Sequence, residues 1–171
     1  MALVAAGDRC RFACGKWGWG LDFSEKMIST LPVVVRRRVK FGECDPAGVV
    51  YTPNFSEFAL SAYQWFVSSL LGEPMFAATR RLGFDSPVKA LSFEFLNMLE
   101  TEQVFDMTCL VTDIRHRTFD VEVTGRDTTE KARKLFVARL TPIMLSRAER
   151  RSIEIPDVLR QYLERYRERT K

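Results

Sequence analysis

The sequence holds a single histidine, His116. Serine- or cysteine-based triads need an imidazole base, so any such site would have to use this residue. It lies between Arg115 and Arg117, and two adjacent cations lower the basicity of an imidazole. The four cysteines, Cys10, Cys14, Cys44 and Cys109, match no zinc or redox spacing: Cys10-x3-Cys14 lacks the second ligand pair a zinc site requires. They read as reduced thiols, and no metal is expected. No apolar run approaches the roughly 18–20 residues of a membrane span. Gly-x-Ser-x-Gly, the Walker loop, Gly-x-Gly-x-x-Gly and His-Glu-x-x-His are also missing, which removes the familiar hydrolase and nucleotide signatures. No strong charge excess exists either, with 26 Lys and Arg against 22 Asp and Glu for a net +4. The C-terminal arginines are interleaved with Glu149, Glu154, Asp157, Glu164 and Glu168, the mark of a solvated helix face and not of a polyanion-binding tail.

What remains is an ordinary globular composition, 46% hydrophobic and 28% charged over 171 residues, enough for one domain. A chain of this length buries roughly 70% of its unfolded surface without a staple. The apolar stretch Ala2–Ala6 is followed at once by Asp8 and Arg9 and is too short for a signal peptide, so a cytoplasmic protein is expected. Residues 1–30 carry Gly7, Gly15, Gly18, Gly20, Trp17 and Trp19 without a sustained period. They are expected to form a poorly ordered extension ahead of a domain at 31–171, with Met27 as an alternative start. The competing reading is an N-terminal element that docks Trp17 and Trp19 on a partner.

From Val33 a β-branched run continues to Phe41, with Val35, Arg37, Val39 and Phe41 on one side. The loop Gly42-Glu43-Cys44-Asp45-Pro46-Ala47-Gly48 follows. Pro53 then suits the first turn of a helix from Asn54 to about Leu71, ended by Gly72 and Pro74. That helix is apolar around much of its circumference, so it should be enclosed. A short helix over Met75–Leu82 is predicted next, then strands at 86–99, 104–114, 118–126 and 131–145, and a terminal helix from Pro156 to about Arg169. Short hairpin connections make the four strands antiparallel. The predicted architecture is α+β, a five-stranded antiparallel sheet wrapped around a long central helix.

Asp45 is the residue best placed for chemistry. It stands in a Gly/Pro loop before the helix, whose N-terminus offers unpaired N–H groups and a positive dipole end. A carboxylate there can attack a carbonyl or activate water while amides receive the oxyanion. The alternative is that Asp45 only closes a turn or caps the helix.

The run Phe41-Gly42-Glu43-Cys44-Asp45-Pro46-Ala47-Gly48-Val49-Val50-Tyr51-Thr52-Pro53-Asn54-Phe55 resembles the signature loop and helix start of hotdog-fold acyl-CoA thioesterases, the 4-hydroxybenzoyl-CoA thioesterase group in particular. The resemblance spans about Val33–Tyr166 and implies the hotdog fold and hydrolysis of an acyl-CoA thioester. Coenzyme A is then part of the substrate, and no separate cofactor is implied. By position, Asp45 matches the family's catalytic nucleophile or general base. Thr52, where the compared member has Tyr, matches the residue whose backbone N–H polarises the thioester carbonyl. Tyr51 and Asn54 match pocket and helix-start positions. Arg115, His116, Arg117 and Thr118 match the basic and hydroxyl groups near the nucleotide end of coenzyme A, and a guanidinium at Arg117 suits phosphate. Leu60 stands where the 4-hydroxybenzoyl enzyme carries an acid for the para-hydroxyl, which implies a benzoyl-like or medium-chain aliphatic acyl group. Glu57 and Glu43 are the alternative carboxylates, because other hotdog thioesterases use a helix glutamate. The family also implies a homodimer or homotetramer, no nucleic acid and no membrane. Two other classes remain for comparison: a non-catalytic hotdog module that binds acyl-thioesters or a partner protein, and a basic nucleic-acid binder.

Overall fold

The computed structural model describes residues 24–171. The chain opens with an antiparallel hairpin, β1 (Glu25–Thr30) and β2 (Val33–Arg38). A one-turn 3-10 helix at Phe41–Glu43 and a loop lead to α1 (Asn54–Leu71) and α2 (Met75–Leu82). Then come β3 (Phe84–Asp85), β4 (Val88–Phe95), β5 (Val104–Ile114), β6 (Phe119–Asp127), β7 (Lys134–Pro142) and β8 (Leu145–Ser146), and α3 (Asp157–Arg169) closes the chain. Six strands form one sheet in the order β1-β2-β5-β6-β7-β4, and β3 pairs with β8 in a separate ribbon. Every pairing is antiparallel.

The α+β reading holds, with one strand more than the expected five. The sixth is β1, from residues assigned to the extension. Its half-buried positions are Glu25, Met27 and Ser29, a set without hydrophobic alternation, because Glu25 faces Arg37 across the ladder instead of an apolar neighbour. Residues 24–30 therefore belong to the domain. Residues 1–23, with Trp17 and Trp19, lie outside the described residues. The expected strand at 131–145 is broken into β7 and β8, and Phe41 leaves the buried face of β2 and is 85% exposed.

The sheet's inner face supplies Val33, Val35, Phe105, Met107, Cys109, Phe119, Val121, Val123, Phe136, Ala138 and Leu140, all buried. Against it α1 buries Phe55, Phe58, Ala59, Ala62, Tyr63, Phe66 and Val67. These fall three or four residues apart and so form a helical stripe. The helix is not enclosed all round within the chain: Glu57, Gln64 and Trp65 are exposed on its other side. α3 covers the sheet with Leu159 and Leu163. Its Tyr166 hydroxyl accepts the Val33 N–H at 2.7 Å and donates to the Cys109 carbonyl at 2.7 Å. That phenol thus fills both hydrogen-bonding needs of the buried backbone between β2 and β5.

Candidate active site

The loop between β2 and α1 is closed by its own backbone. Asp45 N–H donates to the Val49 carbonyl at 2.9 Å, and Gly48 N–H returns to the Asp45 carbonyl at 2.9 Å. Gly48 has φ +80, a left-handed conformation that glycine adopts without steric cost. The Asp45 side chain folds over this turn, its Oδ1 accepting the Ala47 N–H at 2.8 Å, as aspartate does at turns. Its Oδ2 has no hydrogen-bond partner among the described residues. The turn is tied to the segment between β4 and β5, since Val50 N–H donates to Leu99 at 2.8 Å and Thr101 N–H to Gly48 at 3.2 Å.

At the start of α1 most amides are already used. Asn54, Phe55 and Ser56 donate to the carbonyls of Tyr51, Thr52 and Pro53 at 2.9, 3.2 and 3.1 Å. These tight turn bonds satisfy donors that an uncapped helix leaves open. Tyr51 N–H donates to the Glu43 carbonyl at 2.9 Å, and Pro53 has no N–H. The Thr52 N–H has no acceptor among the described residues. The expected convergence of several helical amides is therefore corrected to one open amide at Thr52, on the positive end of the α1 dipole.

Thr52 lines an open hollow of about 330 Å³ with Val49, Val50, Phe55, Phe95, Leu96, Asn97, Met98 and Leu99. The walls are apolar apart from Thr52 and Asn97, and the Asn97 side chain is occupied on the Lys134 carbonyl at 2.7 Å. Asp45 does not line the hollow. It is bonded through its N–H to Val49, one of the wall residues, which closes its turn. Phe95, Leu96, Asn97 and Met98 were not foreseen as site residues. Their only sequence signal is a run of apolar residues continuing past the end of a strand, and that run reads equally well as core.

The other expected site residues separate. Tyr51 is 55% exposed and outside the hollow. Asn54 points its side chain back to the Glu43 carbonyl at 2.7 Å, away from a ligand role. Leu60 is half-buried against the core, about 9 Å along α1 from Asn54. Glu57 is exposed, and Glu43 is held in ion pairing with Arg37. The turn at Arg115–Thr118 lies at the far end of β5, about 30 Å along the strand from the loop. The chain alone does not bring that turn to Asp45. Its Arg115 is committed to Asp113 and Asp120 at 2.7 and 2.6 Å and its Nε donates to the Thr118 hydroxyl at 2.8 Å. Arg117 donates to Ser152 at 3.1 Å, and His116 pairs with Glu154 at 3.0 Å.

Other nucleophile candidates are poorly placed. Burial pushes the Cys109 thiol up to about 12 and the Tyr166 phenol up to about 12. Both stay protonated near neutrality. Among the described residues no three of His, Cys, Asp and Glu converge into a metal-holding cluster, and no helix is long and apolar enough to cross a membrane.

Residues 39–163 match the model of the Thioesterase-like superfamily. No curated protein matches the chain. Among solved structures, similarity extends to 4-hydroxybenzoyl CoA thioesterase from Pseudomonas sp. strain CBS-3, with 22% identity and TM-score 0.66 over 77% of this chain and 96% of that one. The 1,4-dihydroxy-2-naphthoyl-CoA thioesterase Slr0204 from Synechocystis is 21% identical, with TM-score 0.67 over 76% and 93%. The Staphylococcus aureus protein SAV2348, solved in complex with CoA, is 14% identical, with TM-score 0.74 over 81% and 85%. At these identities the likeness establishes the shared fold.

Proposed function

Because the chain belongs to the thioesterase-like superfamily, we propose that it hydrolyses an acyl-CoA thioester to the free acid and coenzyme A, with Asp45 as the reacting carboxylate. The observation that carries this reading is the open Thr52 amide on the wall of an apolar hollow, beside the turn that holds Asp45. A thioester whose acyl group enters the hollow sets its carbonyl oxygen toward the Thr52 N–H. The free Oδ2 of Asp45 then attacks the carbonyl carbon or takes a proton from an attacking water. Negative charge grows on the carbonyl oxygen as the tetrahedral intermediate forms. The amide and the helix dipole meet that charge without reorganising. The intermediate collapses by breaking the C–S bond and releasing the coenzyme A thiolate. On the nucleophilic route, water then hydrolyses the acyl-aspartyl anhydride. The carboxylate must swing off Ala47 for either role, which costs one hydrogen bond of about 1 kcal/mol.

The hollow is lined by Phe95 at the end of β4, and the outer edge of β4 carries no neighbouring strand among the described residues. Leu91, Phe95, Leu96 and Met98 are exposed there, by 36, 50, 42 and 73%. An unpaired strand edge with exposed apolar side chains is a pairing surface. We place a second copy of the chain on it, so that the site is finished at a subunit boundary of a dimer or tetramer. The apolar lining favours a benzoyl-like or medium-chain aliphatic acyl group over a para-hydroxylated one; Leu60, outside the hollow of its own chain, bears on that choice only from a neighbouring subunit. The turn at Arg115–Thr118 contacts the nucleotide portion only if a neighbouring subunit carries it there. A cytoplasmic location is part of the same proposal.

The test is hydrolysis of a panel of aromatic and aliphatic acyl-CoAs, read as free thiol, with light scattering at micromolar concentration. Turnover of at least one thioester and a multimer are expected. No hydrolysis across the panel, together with saturable acyl-CoA binding, would favour a non-catalytic binding module. A tenfold preference for 4-hydroxybenzoyl-CoA would overturn the acyl-group inference, and a monomer would overturn the shared site.

A further inference from the structure

A polar chain runs from α1, through two strands, and back to α1 at its first residue. Ser61 donates to Glu25 Oε1 at 2.7 Å. The other oxygen of Glu25 takes Arg37 Nη1 at 2.6 Å. Arg37 Nη2 pairs with Glu43 Oε1, and Glu43 Oε2 accepts the Lys40 N–H at 2.8 Å. The Glu43 carbonyl accepts both Asn54 Nδ2, at 2.7 Å, and the Tyr51 N–H, at 2.9 Å. Arg37 is only 9% exposed, and its guanidinium lies 4.4 Å from the centre of the Phe58 ring of α1.

Three features of this chain bear on the site. First, Glu43 lies two residues before Asp45, and its carbonyl is bonded to Tyr51 and Asn54, which flank Thr52. One residue therefore holds both sides of the proposed site, the carboxylate side and the amide side. Second, the guanidinium is shared by two carboxylates through separate nitrogens, a fork that a point charge on lysine cannot reproduce. Third, Arg37 Nε is buried without a partner among the described residues. Taking one partner from a buried cation leaves charge uncompensated, so removing either carboxylate disturbs the whole chain.

We infer that Glu43 is a positioning residue, clamped by Arg37 and Glu25, that sets the separation between the Asp45 carboxylate and the Thr52 amide. It touches no substrate and acts through the loop. This inference rests on the thioesterase reading for its kinetic part. Its structural part, that the clamp holds the Asp45 turn, stands apart from catalysis.

The test uses the full chain with Glu43→Gln and Arg37→Lys. Glu43→Gln keeps the side-chain length, an oxygen for Lys40 and the backbone carbonyl, but removes the charge that holds the guanidinium. Expected are a fall in kcat of about 10- to 100-fold with KM within about twofold, and roughly tenfold faster hydrogen exchange at the amides of Asp45, Gly48 and Tyr51. Exchange in β5 and β6 should not change. Arg37→Lys should show the same pattern, since the fork is lost while the charge is kept. A lower Tm with kcat unchanged below it, or loop exchange equal to wild type, would make the network purely structural and overturn the inference. If the wild type hydrolyses no thioester, the proposed function fails, and loop exchange alone decides whether Glu43 clamps the turn. Should Arg37→Lys fail to fold, Glu43→Gln decides.

Discussion

The Asp45 loop and the Arg115–Thr118 turn sit at opposite ends of β5 and carry the same kinds of charged group, yet they commit them differently. In the turn, Arg115 is satisfied by Asp113 and Asp120, neighbours on its own hairpin, with 43% of its side chain exposed. These charges are exposed and close in sequence, and water does much of the work of solvating them. At the loop, Arg37 is buried and its partners come from β1 and from the 3-10 turn. The structural duty there falls on Glu43, which leaves Asp45 with one oxygen free on the turn that precedes Thr52. Charge alone does not make a site. What matters is which group the packing leaves uncommitted.

The same substitution at the two ends gives the sharpest contrast. Asp45→Asn keeps the Oδ1 acceptor of the turn, so Tm should hold, while kcat on the best thioester falls by roughly a thousandfold, about 4 kcal/mol. Activity retained within a few-fold would remove Asp45 from the mechanism. Gly125→Ala is expected to have the next largest effect, and it strikes the core packed against the start of α1. A Cβ there would lie 2.3 Å from the Phe136 ring. Phe136 in turn packs edge-on against Phe55 at the start of α1, with centroids 5.2 Å apart. Overpacking of this kind costs about 2–3 kcal/mol, measurable by urea unfolding, and should be accompanied by reduced turnover. An unchanged unfolding midpoint would show that the ring has room to move.

Asp120→Asn tests the other end and should be milder. Hydrogen bonding from Arg115 holds the Asp120 carboxyl below the usual carboxylate range. A group whose folded value is depressed contributes stability above its unfolded value and loses it as pH falls through the folded one. The variant should therefore lie below wild type in stability near pH 6, by at most about 1 kcal/mol because Arg115 is solvent-exposed. That gap should close as pH drops below about 4, with kcat unaffected throughout. Thermal melts of both proteins across this range check it. Arg117→Ala is expected to have the smallest effect, changing kcat and KM by less than about twofold. A tenfold rise in KM with kcat intact would place a neighbouring subunit's turn at the bound coenzyme.

Several elements were readable before any contact was known. α1 and α2 have the predicted bounds because Pro53, Gly72, Pro74 and Gly83 are local punctuation acting through backbone geometry. The strand expected at 118–126 is found as β6, with Phe119, Val121 and Val123 buried on one face and Asp120 and Glu122 half-buried on the other. β1 was not readable. Its inward Glu25 finds its partner in Arg37 across the hairpin, and no hydrophobic period marks such a strand. The place of Asp45 and Thr52 before the helix was readable. The distance of Arg115 and Arg117 from them within one chain was not, because their position at the far end of β5 depends on strand length and register.

The amino-acid sequence determined the helix limits, the Asp45 turn and the identity of the candidate carboxylate, for these follow from interactions within a few residues. Only the tertiary structure decided that Thr52 keeps the open amide, that Glu43 is held by Arg37 and Glu25, and that Phe95–Leu99 form the opposite wall. Each of those outcomes is set by the register in which distant segments pair, and short-range propensity carries no information about that register.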